Sequence, residues 1–493
     1  VVILLNNLYN YTRGDKMKKK NKKLTLIAKV IGVISLIITI IFSFMLVKLN
    51  MIPNKYLAPL FIVIILIYLI MLFFAFNKKV KSSLKVTSII IFVLFAVIGG
   101  FGTKYLYTTF DFLSILDKDI FQKEKFSVKV LDTSDYNKLE ELNDKNLGIY
   151  KSTNSEKASD ELSKKIEFTK VEYTNLENMF NDLTDGKISG VIMNGSVEKL
   201  LKDELSDMEI SLKTIYEFKV SIDQVDIVKV VNVANTPFNV YIAGGDGFGS
   251  IDAIFNTDVN MVATIDPVNR KVLLTSIPRD YYVNLVLQGE EAYDKLTHAG
   301  YYGIEESVKS VEKLLNTDIN YYVKVNFSTI EGIVDAIGGV DVYSDYDFYE
   351  RAFRKYHYTV GYNHLNGEQA LAFARERKSF AEGDIQRVKN QQKVVEAIIK
   401  KVTSSTALIS NYDQILNSIS DNMDTNISSK DISKLVKMQL NDMRGWSVES
   451  INLTGTGQMG PTYTFPTLNL YTMLPNEDSV NEAQTKIKDY LGK

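Results

Sequence analysis

Three apolar runs, at residues 30–47, 57–76 and 86–101, dominate the start of the chain and show no polar face. Each approaches the roughly 20 residues that a helix needs to cross a bilayer. The missing polar stripe separates them from helices buried in a soluble domain, and three runs in series argue against a cleavable signal peptide. Lysines flank the runs unevenly. One cluster precedes the first run, another lies at Lys78, Lys79, Lys81 and Lys85, and only Lys48 and Lys55 fall in the first hairpin. Positive charge prefers the cytoplasmic side, so both clusters are expected inside. An odd number of spans then carries everything after about residue 105 outside.

The pattern changes in residues 110–232. Short strand-like runs (Phe126-Ser127-Val128-Lys129-Val130, Gly190-Val191-Ile192-Met193) alternate with Lys/Glu-rich amphipathic stretches at 155–166 and 175–185. That alternation predicts a small α/β accessory domain with a solvated charged face. Asn235-Thr236-Pro237 marks a boundary. A larger α/β domain is expected over 236–475, followed by a polar tail at 476–493. Within it, β-branched runs at 238–243, 262–265 and 271–275 read as buried strands. Helices are predicted at 304–315 and 328–337 with a strand at 321–325 between them. A short helix over 366–374 leads into Arg375-Glu376-Arg377, and Gly383-Asp384 opens a long helix reaching about Val402.

Length and composition narrow the function. The chain has 493 residues, 46% of them apolar, and a net charge of −2, which leaves no electrostatic footprint for nucleic acid. It contains no Cys, which excludes disulfides, thiolate metal sites and a Cys nucleophile. His298, His357 and His364 lack metal-ligand spacing. Residues 1–16 carry no targeting pattern, whereas Met17 is followed by a lysine-rich stretch (residues 18–23) directly before the first apolar run. Met17 is therefore the expected translation start, and 1–23 the cytoplasmic N-terminus of a segment whose spans occupy 24–105.

Candidate chemistry collects at strand ends, where α/β sheets place ligands. Asp246 follows the first of the buried strands, and Asp258 lies just before the second. Both are candidate ligands for a hard cation, since Mg²⁺ commonly takes one or two carboxylates and completes its shell with phosphate and water. Arg279, Arg375, Arg377 and Arg387 are candidate phosphate clamps, because guanidinium binds phosphate bidentately and stays charged. Arg375 and Arg377 share a face only in extended backbone, which places them on a strand or loop after the helix. Asp384, Arg387 and Gln391 recur at i, i+3 and i+7, on one helix face. Gly455-Thr456-Gly457-Gln458-Met459-Gly460 has the spacing of a dinucleotide fingerprint, but Pro461 and Pro466 forbid the helix that must follow. Each feature also has an ordinary reading: capping aspartates, surface arginines, a proline turn with a local ion pair.

Taken in order, Gly245-Asp246, Thr257-Asp258, Ile277-Pro278-Arg279-Asp280, Asp294-Lys295-Leu296, Asp335-Ala336-Ile337-Gly338-Gly339-Val340, Leu365-Asn366-Gly367-Glu368-Gln369, Arg375-Glu376-Arg377 and Asp384-Ile385-Gln386-Arg387 with Gln391 resemble the LytR–CpsA–Psr (LCP) family. The three spans and the extra domain before the core resemble its capsule-associated CpsA branch. The resemblance implies an α/β/α layered catalytic domain with a central mixed sheet, facing out from a multi-pass protein of the cell membrane. It implies a phosphotransferase that moves a glycopolymer, such as capsular polysaccharide or wall teichoic acid, from undecaprenyl pyrophosphate to peptidoglycan. On matching positions, Asp246 and Asp258 would hold Mg²⁺, with Mn²⁺ as the alternative ion. Arg279, Arg375, Arg377 and Arg387 would clamp the pyrophosphate, supported by Gln391, while Asp280 and Asp384 would orient an arginine or assist the acceptor hydroxyl. One departure stands out: members often carry Arg-Ser before the second metal aspartate, where this chain has Asn256-Thr257. For the carrier lipid, Ile330, Ile333, Val334 and Ile337 with Val394 and Ile398 offer either an apolar groove or ordinary core. Competing readings are a polyprenyl-pyrophosphate hydrolase using water at the same site, and a non-catalytic glycan-binding scaffold or regulator of capsule synthesis. A transcriptional regulator is disfavoured, because the cytoplasmic segments are too short for a helix-turn-helix.

Overall fold

A computed structural model describes residues 2–77, 79–116, 122–151, 154–205, 208–222, 227–245, 257–351, 354–404, 414–415, 418 and 423–493. It divides into two compact units. One comprises residues 1–114 and 429–443, the other 115–428 and 444–493.

The first unit is built on α1 (Val2–Leu49), α2 (Asn54–Phe76) and α3 (Ser82–Leu116). All three contain stretches long and apolar enough to cross a membrane, at Lys22–Leu49, Asn54–Phe76 and Ser82–Ser114. Their large side chains face outward in quantity, including Ile37, Leu69 and Phe101, as lipid-facing helices require. The few polar groups inside are paired. Tyr68 OH lies 2.6 Å from Ser35 Oγ and 2.8 Å from Thr39 Oγ1, and buried Lys85 donates to Thr25 Oγ1 at 2.7 Å.

The second unit opens with a five-stranded sheet ordered β3-β2-β4-β1-β5. Its strands are β1 (Gln122–Leu131), β2 (Lys145–Tyr150), β3 (Phe168–Tyr173), β4 (Gly190–Asn194) and β5 (Leu212–Ile222). Helices α4 (Ser155–Ser163), α5 (Leu176–Thr184) and α6 (Gly195–Glu204) connect them. Asn175 and Asn194 cap α5 and α6, each accepting a backbone N–H from the first turn.

A six-stranded mixed sheet follows, built on β6 (Phe238–Gly244), β7 (Val259–Asp266) and β8 (Lys271–Ile277). After β8 come the small pair β9 (Tyr282–Asn284) and β10 (Tyr293–Lys295), then α7 (Leu296–Ala299), α8 (Ile304–Leu315), β11 (Tyr321–Val325) and α9 (Phe327–Ala336). Next are β12 (Val340–Ser344), β13 (Phe348–Tyr349), β14 (His357–Tyr358), β15 (Gly361–Leu365), α10 (Gly367–Arg375) and α11 (Asp384–Ser404). The chain ends with β16 (Met423–Thr425), α12 (Ser429–Asp442), β17 (Ser447–Asn452), β18 (Gly455–Gly460), β19 (Leu470–Pro475) and α13 (Glu477–Leu491). The six-stranded order is β16-β11-β6-β7-β8-β17, with β11 parallel to β6 and β17 parallel to β8. The glycine-rich stretch at 455–460 is strand β18 of a hairpin with β19, not a phosphate loop.

Besides a core inside the five-stranded layer around Val128, Leu147 and Leu162, two cores organise this unit. In one, Val308, Val311 and Leu315 of α8 and Val480, Ala483 and Ile487 of α13 meet Tyr241, Val262 and Leu273 of the sheet. The same core takes in Met179, Phe180 and Leu200 from α5 and α6, so the five-stranded layer is packed onto the larger domain. The other joins Val334 and Ile337 with Phe373, Val394 and Ala397, drawing α9, α10 and α11 together. Val334, Ile337 and Val394 are thus ordinary core, whereas Ile330, Ile333 and Ile398 are only half-buried at its margin.

Candidate active site

Strand register creates the site. β7 and β8 run antiparallel with Asn260 opposite Ile277. Continuing two residues outward sets Asp258 across from Arg279, and the two form an ion pair between Asp258 Oδ1 and Arg279 Nη1. β6 and β11 end at the same edge, with Gly244 level with both Val259 and Val325. A Cβ on Gly244 would lie 2.7 Å from Val259 Cβ, so only glycine lets β6 and β7 approach this closely. Asp246 and its neighbours up to Asn256 lie outside the described residues.

Arg279 sits amid carboxylates. Its Nε is 3.6 Å from Asp280 Oδ2. Burial disfavours its charge, but Asp258, Asp280 and Asp384 together outweigh burial and raise its pKa. Asp384 opens α11 and also pairs with Arg387, Nη2 to Oδ1 at 2.6 Å. The first turn of α11 is brought there because the helix is anchored on the sheet further along. Buried Gln392 donates to Ile451 O at 2.8 Å and Leu274 O at 3.3 Å. Among the described residues, Arg387 Nε is buried and meets no hydrogen-bond acceptor.

Arg375 arrives by another route. Asn366 caps α10 in a reciprocal box with Gln369, accepting Gln369 N–H at 2.9 Å and donating its own to Gln369 Oε1 at 3.0 Å. Gly367 donates to Asp335 Oδ1 at 2.7 Å, and a Cβ there would stand 2.4 Å from Glu331 O. This tight crossing sets the far end of α10 over the start of α9, where the Arg375 guanidinium lies 4.3 Å from the centre of the Phe327 ring. Phe327 follows the end of β11, so Arg375 reaches the same edge of the sheet. Arg375 is still the last residue of the helix, and extended backbone begins at Glu376. Arg375 and Arg377 point outward while Glu376 points in, accepting the backbone N–H of Arg351 at 2.6 Å and of Ser379 at 2.9 Å.

The structure therefore gathers Asp258, Arg279, Asp280, Asp384 and Arg387, and brings Arg375 to the same edge through Phe327. Arg377 is exposed beside it, and Gln391 is half-buried one turn beyond Arg387. Phe327 was not singled out from sequence, because an aromatic after an Asn cap gives no signal of a cation above it. His298, set aside as a metal ligand, proves to be a buried partner of Asp294, at 2.6 Å. Their i, i+4 spacing was the available clue.

Comparison with known proteins fits this picture. The LytR–CpsA–Psr family profile matches residues 201–488. A Bacillus mycoides polyisoprenyl-teichoic acid–peptidoglycan teichoic acid transferase, TagU, is 37% identical over 222 residues, 45% of this chain and 70% of that protein. The Enterococcus faecalis TagU is 32% identical over 302 residues, 60% of this chain and 91% of its own. Among solved structures, Bacillus subtilis TagV is 28% identical, with 52% of this chain and 98% of that one covered and a TM-score of 0.44. On the profile match and the Enterococcus relative together, the chain belongs to the LytR–CpsA–Psr family.

Proposed function

We propose that the protein transfers a glycopolymer from a polyisoprenyl carrier, undecaprenyl pyrophosphate, to peptidoglycan outside the cytoplasmic membrane. The observation that carries this is the convergence of Arg279, Arg387 and three carboxylates at one end of the sheet. Both relatives compared above are named as transferases of this kind. Phosphoryl transfer depends chiefly on positioning and on neutralising charge, which such a cluster supplies.

The acceptor hydroxyl oxygen attacks the phosphorus bearing the glycan, and the new phosphodiester forms as the bridging P–O bond breaks. Undecaprenyl phosphate leaves with the bond's electron pair. In this reading Asp280, which meets Arg279 only at 3.6 Å, takes the hydroxyl's proton. Arg279, Arg375, Arg377 and Arg387 bind the pyrophosphate oxygens, with Gln391 supporting the head group. Among the described residues no three acidic or histidine side chains cluster closely enough to hold an ion, but Asp258 offers a hard oxygen donor of the kind Mg²⁺ prefers. Asp258, joined by Asp246, would hold Mg²⁺ or Mn²⁺, an ion that supplies neutralisation of the diphosphate when bound. The half-buried Ile330, Ile333 and Ile398 suit the lipid.

Three spans would make the protein multi-pass. Supporting that, α12 belongs to the membrane unit and meets the first hairpin. Lys437 Nζ donates to Asn50 Oδ1 at 2.8 Å, and Lys55 Nζ donates to Asn441 O.

The test is transfer of labelled lipid-linked polymer to peptidoglycan by the full chain in nanodiscs. Wild type should attach label and Arg279→Ala should lose about 10²–10³-fold, while chelation of divalent ions should abolish attachment. Label released into water with none attached would instead establish a hydrolase.

A further inference from the structure

We propose that Glu204, at the end of α6 in the accessory layer, is a positioning residue for Arg279 and Asp258 that acts through Lys295 and His298. This rests on the transferase reading above. Glu204 Oε1 accepts Lys295 Nζ at 2.9 Å and lies 3.3 Å from His298 Nε2. On the far side of the imidazole, His298 Nδ1 is 2.6 Å from Asp294 Oδ1, and Asp294 Oδ2 accepts Thr464 N–H at 2.8 Å. Asp294 and His298 are wholly buried and Lys295 nearly so. Two carboxylates thus face an ammonium and an imidazole in one enclosed cluster. Removing Glu204 leaves the two basic groups with a single buried counter-charge, a strongly unfavourable change.

The segment held by this cluster also holds the active site. Thr297 N–H donates to Arg279 O at 2.8 Å and Leu296 N–H to Tyr281 O at 2.9 Å. Thr257 Oγ1, next to Asp258, donates to Leu296 O at 3.4 Å. Five consecutive residues, 294–298, therefore connect an accessory-layer carboxylate to the Arg279 and Tyr281 backbone on one side of the Arg279–Asp258 pair and to the Thr257 side chain on the other. Among the described contacts of Glu204 none reaches the guanidinium itself, so its influence passes through the placement of the 294–298 segment. A displacement near 1 Å at a reacting group can cost about 10²-fold in rate.

The test is a double-mutant cycle on the full chain, with Glu204→Ala, Arg279→Ala and the double variant, each confirmed folded by its thermal melt. Transfer rate is one readout and the Kd for farnesyl pyrophosphate with Mg²⁺ is the other, so a protein without transfer activity still reports on positioning. Loss of transfer in wild type would refute the parent reading, while the binding cycle would still decide this one. Glu204→Ala should weaken binding about tenfold and cause no further loss once Arg279 is Ala, the coupling expected of linked residues. Glu204→Gln, which keeps an acceptor oxygen for Lys295, should lose about threefold, and it carries the test if the alanine variant does not fold. Equal losses in both backgrounds, or no loss in a folded Glu204 variant, would overturn the proposal.

Discussion

At Arg279, three acids compete for one planar fork, and a lysine could not satisfy that geometry. Arg279→Lys is therefore expected to lose transfer nearly as severely as Arg279→Ala, measured in the same attachment assay. Position 279 stood out in the sequence as a guanidinium at a strand end, where α/β sheets place ligands, although a proline turn with a local ion pair read equally well. Glu204 gave no such signal, since its partners are 91 and 94 residues away. Its titration offers a separate check. Burial opposes its charge, but His298 and Lys295 hold its pKa down to about 2, against a usual 4.5. A depressed acid stabilises the fold fully above its usual pKa and loses that contribution as pH falls through the folded value. His298 is shifted the other way: Asp294 and Glu204 overcome its burial and raise it from 6.5. Its contribution is complete below 6.5 and fades as pH rises past the folded pKa. The cluster should thus help most between pH 4.5 and 6.5, and Glu204→Gln should flatten the acid side of Tm against pH.

Regular elements were the most legible from pattern. The helix at Ile304–Leu315 and the strand at Tyr321–Val325 fall where their apolar spacing puts them, because each buries one clean face or run. The third apolar helix runs on past residue 101 to Leu116, through mixed polar and aromatic residues that blur its end. Helix crossings are harder to read. Gly367 looks like the ordinary first residue of an Asn-capped helix, yet a Cβ there would stand 2.4 Å from Glu331 O of α9. Gly367→Ala should push the helices apart, lower stability by about 1–3 kcal/mol and shift Arg375 off Phe327. Thermal melts, with transfer activity measured on the folded variant, would detect both effects.

For the molecule as a whole, the natural absence of cysteine makes topology easy to test. Single cysteines at Asn54 and Lys81 should differ. The first should react with an impermeant maleimide on intact cells, and the second only after the membrane is opened. Reaction of both from outside would refute three spans with an external catalytic domain. Membrane attachment itself is plain from the apolar runs, but the assignment of α12 to the membrane unit is not, because its sequence reads as an ordinary amphipathic surface helix.

That assignment matters to anyone who trims the protein for study. The chain leaves one border of the six-stranded sheet at β16, passes through α12, and re-enters at the opposite border as β17. Deleting the first 114 residues would therefore keep α12 while discarding its companions, stranding Lys437 and Asn441 without Asn50 and Lys55. In the shortened protein α12 should lose its anchorage and become a site of rapid proteolysis, and resistance should return when residues 429–443 are replaced by a short polar linker.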